Sequence, residues 1–290
     1  MSQKRQYNSD QEDSYGSAKK HQKKTRSKTS DILDTMEKAE KLTKLIQKDM
    51  SFFTSMTDTT QAFEHLKILF KVDNLPPIIH QHQIYSMIQN KTAVDREIES
   101  LRASNKVRLF KADSNLEDIS ICSTDDFKNH IKTHVLNFND KTVKEIISHS
   151  KTSQSEFKCL IEKFQNEILN EFKELSITEF ELKKNYHLTE SEITVLIQIG
   201  LLTIKNPSSW WFAIPFVGTF RKNLTDARKS LLNVLKKKKY KEASLEELYK
   251  RDVKKINQIG LIYLISDLIG KEEICKMDSP MGFIIKLNEC

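Results

Sequence analysis

The sequence predicts a mainly α chain with short β wings, an α+β fold divided among several small units. Three observations predict it. Glycine and proline are scarce, 6 and 5 in 290 residues, too few for the many tight turns of a β-sandwich or barrel. Hydrophobic residues make up 38% and charged residues 30%, which suits several small cores better than one large one. Helical periodicity also gives way three times to a pair of short apolar β segments.

The elements follow in order. Residues 1–30 are polar, with almost nothing to bury, and read as a disordered basic tail. Lys19, Lys20, Lys23, Lys24, Arg26 and Lys28 form a split cluster there, readable as a nuclear localisation signal or as a solvated tail. Residues 31–57 supply an N-terminal helix and linker. Ile32, Leu33, Met36, Ala39, Leu42, Leu45 and Ile46 share one stripe, for packing on the next segment or on a partner.

In the next stretch Ala62–Phe70, a segment starting at His82, and Lys91–Leu101 read as helices. Val94, Ile98 and Leu101 share a face of the last, and Asn105 is its C-terminal cap. Val107–Phe110 and Ile119–Ile121 read as strands, joined by the turn-prone stretch Asp113–Asp118. A second run begins near Thr142, with helices at Val143–His149, Glu156–Phe172 and Ile177–Asn185. Thr189 and Glu192 then form a capping box for a helix that Gly200 stops, and Leu201–Lys205 pairs with Trp210–Ile214. A third run begins at Thr225 with a helix, followed by a short one that Ser244 caps and that reaches Val253. Ile256–Ile269 reads as one apolar helix ended by Gly270, and Ile274–Met277 and Phe283–Leu287 form a closing hairpin.

Helices followed by a hairpin are the order of a winged helix. The sequence thus predicts three tandem winged-helix domains, at 58–138, 139–222 and 223–290.

The chemistry of the chain points to binding. A net charge of +7 and a pI near 9.0 suit a polyanionic partner, nucleic acid or an acidic membrane surface. No apolar run approaches the ~20 residues of a membrane span. The N-terminus lacks the apolar stretch of a secretion signal. Cys122, Cys159, Cys275 and Cys290 stand far apart and fit a reducing compartment. A kinase needs a glycine-rich phosphate loop and metal-binding catalytic loops, and the six glycines are isolated. Neither a Walker A sequence nor GxSxG occurs. His130 and His134, and His80 and His82, lie close, but no HExxH joins them. The sequence therefore predicts no catalytic residue, no cofactor and no metal site.

The densest charge lies between Phe220 and Lys241: Arg221, Lys222, Arg228, Lys229, Lys236, Lys237, Lys238, Lys239 and Lys241, opposed by Asp226. Each Lys or Arg that neutralises a phosphate releases counterions, so such a surface holds DNA without reading its sequence. DNA contact is the preferred reading over a solvated face with a lysine-rich turn. Trp210 and Trp211 point to opposite faces of a strand. Either one is core and the other binds a partner, or both pack between neighbouring domains.

A family resemblance runs from about residue 80 to the C-terminus. Asn90–Ile98, Leu101–Arg102 and Val107–Phe110 carry its first part. Glu190–Thr194 and Gly200–Thr203 carry the next, and Ser209–Pro215 with Gly218 and Phe220 the sharpest. Lys239–Glu242, Leu245, Glu247–Leu248, Leu261–Tyr263 and Asp267–Gly270 complete it. The chain resembles the serine/threonine-protein kinase 19 family.

That resemblance implies three tandem winged helices and no kinase fold. It also implies a nuclear factor that binds double-stranded DNA in transcription-coupled nucleotide excision repair. Such a factor would bridge DNA, stalled RNA polymerase II and repair-complex proteins, and would dimerise on DNA. DNA contacts carried over from the family fall on Lys222, Arg228, Lys236, Lys237, Lys239 and Lys241. Thr219 and Asp226 stand where the family often has basic residues, with Arg221 and Lys238 placed to compensate. The alternative is a winged-helix protein-interaction scaffold that does not touch DNA.

Overall fold

Antiparallel hairpins close three successive stretches of the computed structural model, and each hairpin takes an earlier strand as a third member. The structure describes Glu40, Lys44 and residues 58–111, 119–138, 140–150, 153–280 and 282–288. The chain divides into two units, Met1–Ser51 and Phe52–Cys290, and the architecture below is that of the second. The basic tail, most of the N-terminal helix, and the turn at Asp113–Asp118 lie outside the described residues.

In the first segment α1 (Thr59–Leu69), α2 (Gln81–Tyr85) and α3 (Lys91–Ala103) precede the hairpin β2 (Val107–Lys111) and β3 (Ile119–Ser123). Asn90 caps α3 by accepting from the Ala93 amide at 3.1 Å. Asn105 ends it in the left-handed region, φ 56°, with the Lys106 amide reaching back to Leu101. Strand β1 (Ile79–His80) joins β3, Ile79 opposite Ile121, and the sheet order is β1-β3-β2. Helix α4 (Thr124–His130) and a π-helical turn, Ile131–Val135, follow.

The second segment has α5 (Lys141–Ser150) and α6 (Gln154–Lys163), the latter continuing through a π turn to Glu171. Ile177 is not helical. It sits in β4 (Ser176–Thr178) opposite Trp210, and the helix read at Ile177–Asn185 begins only at Glu179. The reason is local and non-local at once. Thr178 and Glu181 form a capping box that fixes the start, while β-branched Ile177 finds a strand partner far along the chain. Helices α7 (Glu179–Lys184) and α8 (Glu190–Gln198) lead to β5 (Leu202–Asn206) and β6 (Ser209–Phe212), in the order β4-β6-β5. Gly200 ends α8 at φ 84°, where an L side chain would be strained.

Helix α9 (Gly218–Lys236) starts seven residues ahead of Thr225 and runs across the boundary read at 222/223. Its apolar stripe is already under way at Phe220 and Leu224, both buried. The third segment continues with β7 (Glu242–Ser244), α10 (Leu245–Lys250), α11 (Lys254–Ile259) and α12 (Leu261–Gly270). The single apolar helix read at Ile256–Ile269 is two helices, because Gly260 at φ 97° turns the chain between them. Strands β8 (Ile274–Ser279) and β9 (Gly282–Leu287) close the sheet, order β7-β9-β8.

The segments share a core. Phe70 from the first meets the Phe220 ring at 5.4 Å and the Tyr263 ring at 5.7 Å. Tyr263, fully buried, donates its hydroxyl to the Ile78 carbonyl at 2.7 Å. A Cβ on Gly270 would stand 1.9 Å from the His82 carbonyl oxygen, so α12 lies against α2 at a distance only glycine permits. Arg108, buried on β2, donates to the Leu169 and Phe172 carbonyls at 2.9 and 3.0 Å, tying the first sheet to the end of the α6 helix.

Candidate nucleic-acid interface

In a helix-turn-helix protein, the helix ahead of the hairpin enters the major groove. Here the three helices in that position are α3, α8 and α12. Residues Leu261–Leu268 of α12 are all buried, so it has no face to offer. The outer side of α8 carries Glu190 and Glu192. On α3, Lys91, Arg96 and Arg102 are balanced by Asp95, Glu97 and Glu99. Arg102 is also committed to Glu99 at 2.6 Å and Glu174 at 2.9 Å, and Lys91 to Glu272 at 3.0 Å. None of the three presents a net positive surface.

Helix α9 does. Phe220, Leu224, Ala227, Leu231 and Leu235 recur at helical spacing and bury one side. On the other side, Lys222, Lys229 and Lys236 are exposed and seven residues apart. Two helical turns separate neighbours, roughly 10.5 Å at 1.5 Å per residue, so the three ammonium groups form a line. Asp226 interrupts that face but is paired with Lys255 of α11 at 3.1 Å. The Lys255 hydrogen bond, with lesser help from the Lys229 and Lys222 charges, holds its carboxyl below the usual carboxylate value. Lys255 is a member of this surface that sequence reading passed over; the adjacent pair Lys254-Lys255 was the available signal.

The predicted residues divide into two groups. Lys222, Lys229, Lys236, Lys237, Lys239 and Lys241 are exposed. Lys239 lies 5.1 Å from the ring of exposed Tyr240. Lys241 takes a left-handed turn, φ 54°, and its carbonyl accepts from the Leu287 amide, fastening the lysine-rich turn to β9.

Arg228, in contrast, is turned inward. Its Nε and Nη2 donate to the two oxygens of Asp267 at 2.6 and 2.7 Å. His82 adds a 2.9 Å contact to the same carboxylate. Burial by itself would raise the Asp267 carboxyl; hydrogen bonds from His82 and Arg228 outweigh it and hold the group well below the usual carboxylate range. Arg228 is therefore a structural cation, because the acid it neutralises is fully buried. Lys238 is similarly committed to Glu247, which also accepts from Arg251 at 3.1 Å. Arg221 remains exposed while donating to the Lys111 carbonyl at 2.8 Å.

The tryptophans separate as strand geometry requires. Trp210 is 8% exposed, in the core of the second sheet. Trp211 faces outward, with Lys111 Nζ 5.0 Å and Lys205 Nζ 4.2 Å from its ring. Among the histidines, His130 is buried and donates to the Pro215 carbonyl at 3.3 Å. No described helix is long and apolar enough to cross a membrane.

The family model of inactive serine-threonine protein kinase 19 matches residues 51–271. Winged helix repair factor 1 of Homo sapiens is 29% identical over 217 residues, covering 75% of this chain and 79% of that protein. The protein of the same name from Xenopus laevis is 28% identical over 217 residues, covering 75% and 77%. A Schizosaccharomyces pombe protein named serine/threonine-protein kinase mug51 is 28% identical over 228 residues, covering 75% and 69%. With more than half of its length matched by that model, the chain belongs to the family of inactive serine-threonine protein kinase 19 and is not an enzyme.

Proposed function

We propose that this protein is a non-catalytic nuclear repair factor that holds double-stranded DNA on the exposed face of α9. It consists on this reading of three winged-helix units in tandem, the third beginning at Gly218, where α9 begins. The observation that carries the proposal is the line of Lys222, Lys229 and Lys236 on the one strongly basic helix face among the described residues. Lys237, Lys239 and Lys241 extend it at the C-terminal end of the helix, where cations also meet its dipole favourably. Arg228 and Lys238 act indirectly, by holding α9 to α12 and α10.

Contacts of this kind engage phosphates and position the protein without reading bases. The factor serves transcription-coupled nucleotide excision repair by bridging DNA, stalled RNA polymerase II and repair proteins, and it dimerises on DNA. The names of the relatives support a part in repair. The acidic outer side of α8 suits a protein neighbour better than a phosphate backbone.

The test is fluorescence anisotropy of a labelled duplex over a range of salt concentrations. Intact protein binds with a steep salt dependence. Changing Lys222, Lys229 and Lys236 together to Gln reduces the slope by about 3 units, close to 0.9 for each lost phosphate contact. Equal binding by both forms moves the DNA site elsewhere. No binding by either leaves the interaction scaffold as the function.

A further inference from the structure

A cleft of about 550 Å3 opens where the first sheet, the second sheet and the start of α9 meet. Its floor is mainly apolar, with Ile78, Phe110, Ile214 and Leu224 beside the buried His80 and Ser120. Its rim is charged. Lys111 at the end of β2 borders it, as do Arg221 and Lys222 on α9, the last of these shared with the basic face of that helix. Next to Lys111, the Trp211 ring carries two ammonium groups, those of Lys111 and Lys205. The acid on this rim, Asp226, is paired with Lys255.

Phe216 stands at the mouth, 41% exposed, with its backbone in the left-handed region at φ 65°. A bulky residue takes that conformation only where its surroundings impose it. They do so here. His130 holds the preceding Pro215 carbonyl, and its ring meets the Phe216 ring edge-on at 6.4 Å. The fold thus fixes a large apolar side chain in solvent beside a basic rim.

We propose that this cleft docks an acidic peptide segment of a partner protein. An aliphatic or aromatic side chain of the peptide packs on the apolar floor against Phe216. Flanking carboxylates meet Lys111, Lys205 and Arg221. A volume of this size lies within the range of about 300–1,000 Å3 typical of ligand pockets, and takes one or two large side chains. The charge of the rim selects the sign of the partner. Nucleic acid fits less well. A phosphate backbone gains nothing from an apolar floor, and a single strand needs bare aromatic faces for its bases. Trp211 already engages two ammonium groups, which leaves the single exposed ring of Phe216 where successive bases need several.

Selection of short random displayed peptides on the full chain tests this. Enriched peptides are acidic and contain Phe, Trp or Leu. Labelled copies bind intact protein, and their affinity falls at least tenfold for Phe216→Ala and for the pair Lys111→Glu with Lys205→Glu. Duplex binding by those variants stays within threefold of intact, because neither set changes Lys222, the residue that the cleft rim shares with the Lys222–Lys229–Lys236 face. Enrichment without an acidic bias, an empty selection, or peptides indifferent to both sets of changes overturns the proposal. So does a labelled oligothymidylate that binds in place of the peptides and is lost with the same variants; the cleft is then a single-strand site.

Discussion

Arg228 and Asp267 form a two-point ion pair, Nε to Oδ2 at 2.6 Å and Nη2 to Oδ1 at 2.7 Å, at which α2, α9 and α12 converge through His82. Removing Arg228 leaves the buried Asp267 carboxylate with His82 as its remaining side-chain partner. Arg228→Ala therefore lowers stability by about 3–5 kcal/mol, read from the urea midpoint. The folded variant keeps the intact salt slope for duplex binding. Lys229→Gln does the reverse, flattening the slope by roughly 0.9 with little change in midpoint. A salt slope that falls in Arg228→Ala would return that residue to the DNA surface.

Acidification destabilises the protein in two steps. Burial, aided by the charge of His134, pushes His130 down to about 4 from its usual 6.5. Its neutral form is the one that folds, so this contribution is complete above pH 6.5 and is lost as pH falls towards 4. Asp267 is also depressed, from a usual value of 3.8, so its contribution is complete above that value and is lost only below it. His130→Gln shrinks the first step, leaving the part from His65, which burial also depresses, and retains a donor for the Pro215 carbonyl. Asp267→Asn removes the second. Urea midpoints measured between pH 7 and 2 check both, and a first step undiminished in His130→Gln refutes the assignment.

Two glycines respond oppositely to the same change. Gly270→Ala places a methyl 1.9 Å from a backbone oxygen of His82 and forces α12 away from α2. The cost is about 1–3 kcal/mol or more. A Cβ on Gly218, at the start of α9, meets nothing within 4 Å. Gly218→Ala stabilises by about 0.5–1 kcal/mol through reduced freedom of the unfolded chain. Thermal unfolding of the pair checks the contrast.

Trp210 and Trp211 are adjacent in sequence and unlike in consequence. Trp210→Ala empties part of the second core and costs about 3–5 kcal/mol. Trp211→Ala removes a partly exposed ring and two cation contacts, about 1–2 kcal/mol in total. Denaturation of each variant separates them, and equal losses would mean that both rings are core.

The longer elements were legible because their signals are local. Lys91–Leu101 shows its stripe within three turns, and Thr189 with Glu192 marks a helix start in four residues. Strands β1, β4 and β7 were missed for the converse reason. Two or three residues carry no period, and their partners Ile121, Trp210 and Ile285 lie far along the chain. The break at Gly260 was hidden because apolar residues continue on both sides of it.

By itself, the sequence determined the α+β class, the order of the principal helices and hairpins, the concentration of positive charge between Phe220 and Lys241, and the opposite facing of Trp210 and Trp211. These depend on residues within a turn or two of one another. The tertiary structure alone decided which of those charges meets solvent. Arg228 and Lys238 look identical in kind to Lys229 and Lys236 until packing brings Asp267 and Glu247 against them. A side chain's availability to a phosphate depends on what has already neutralised it, and that partner is set by the fold rather than by sequence neighbours.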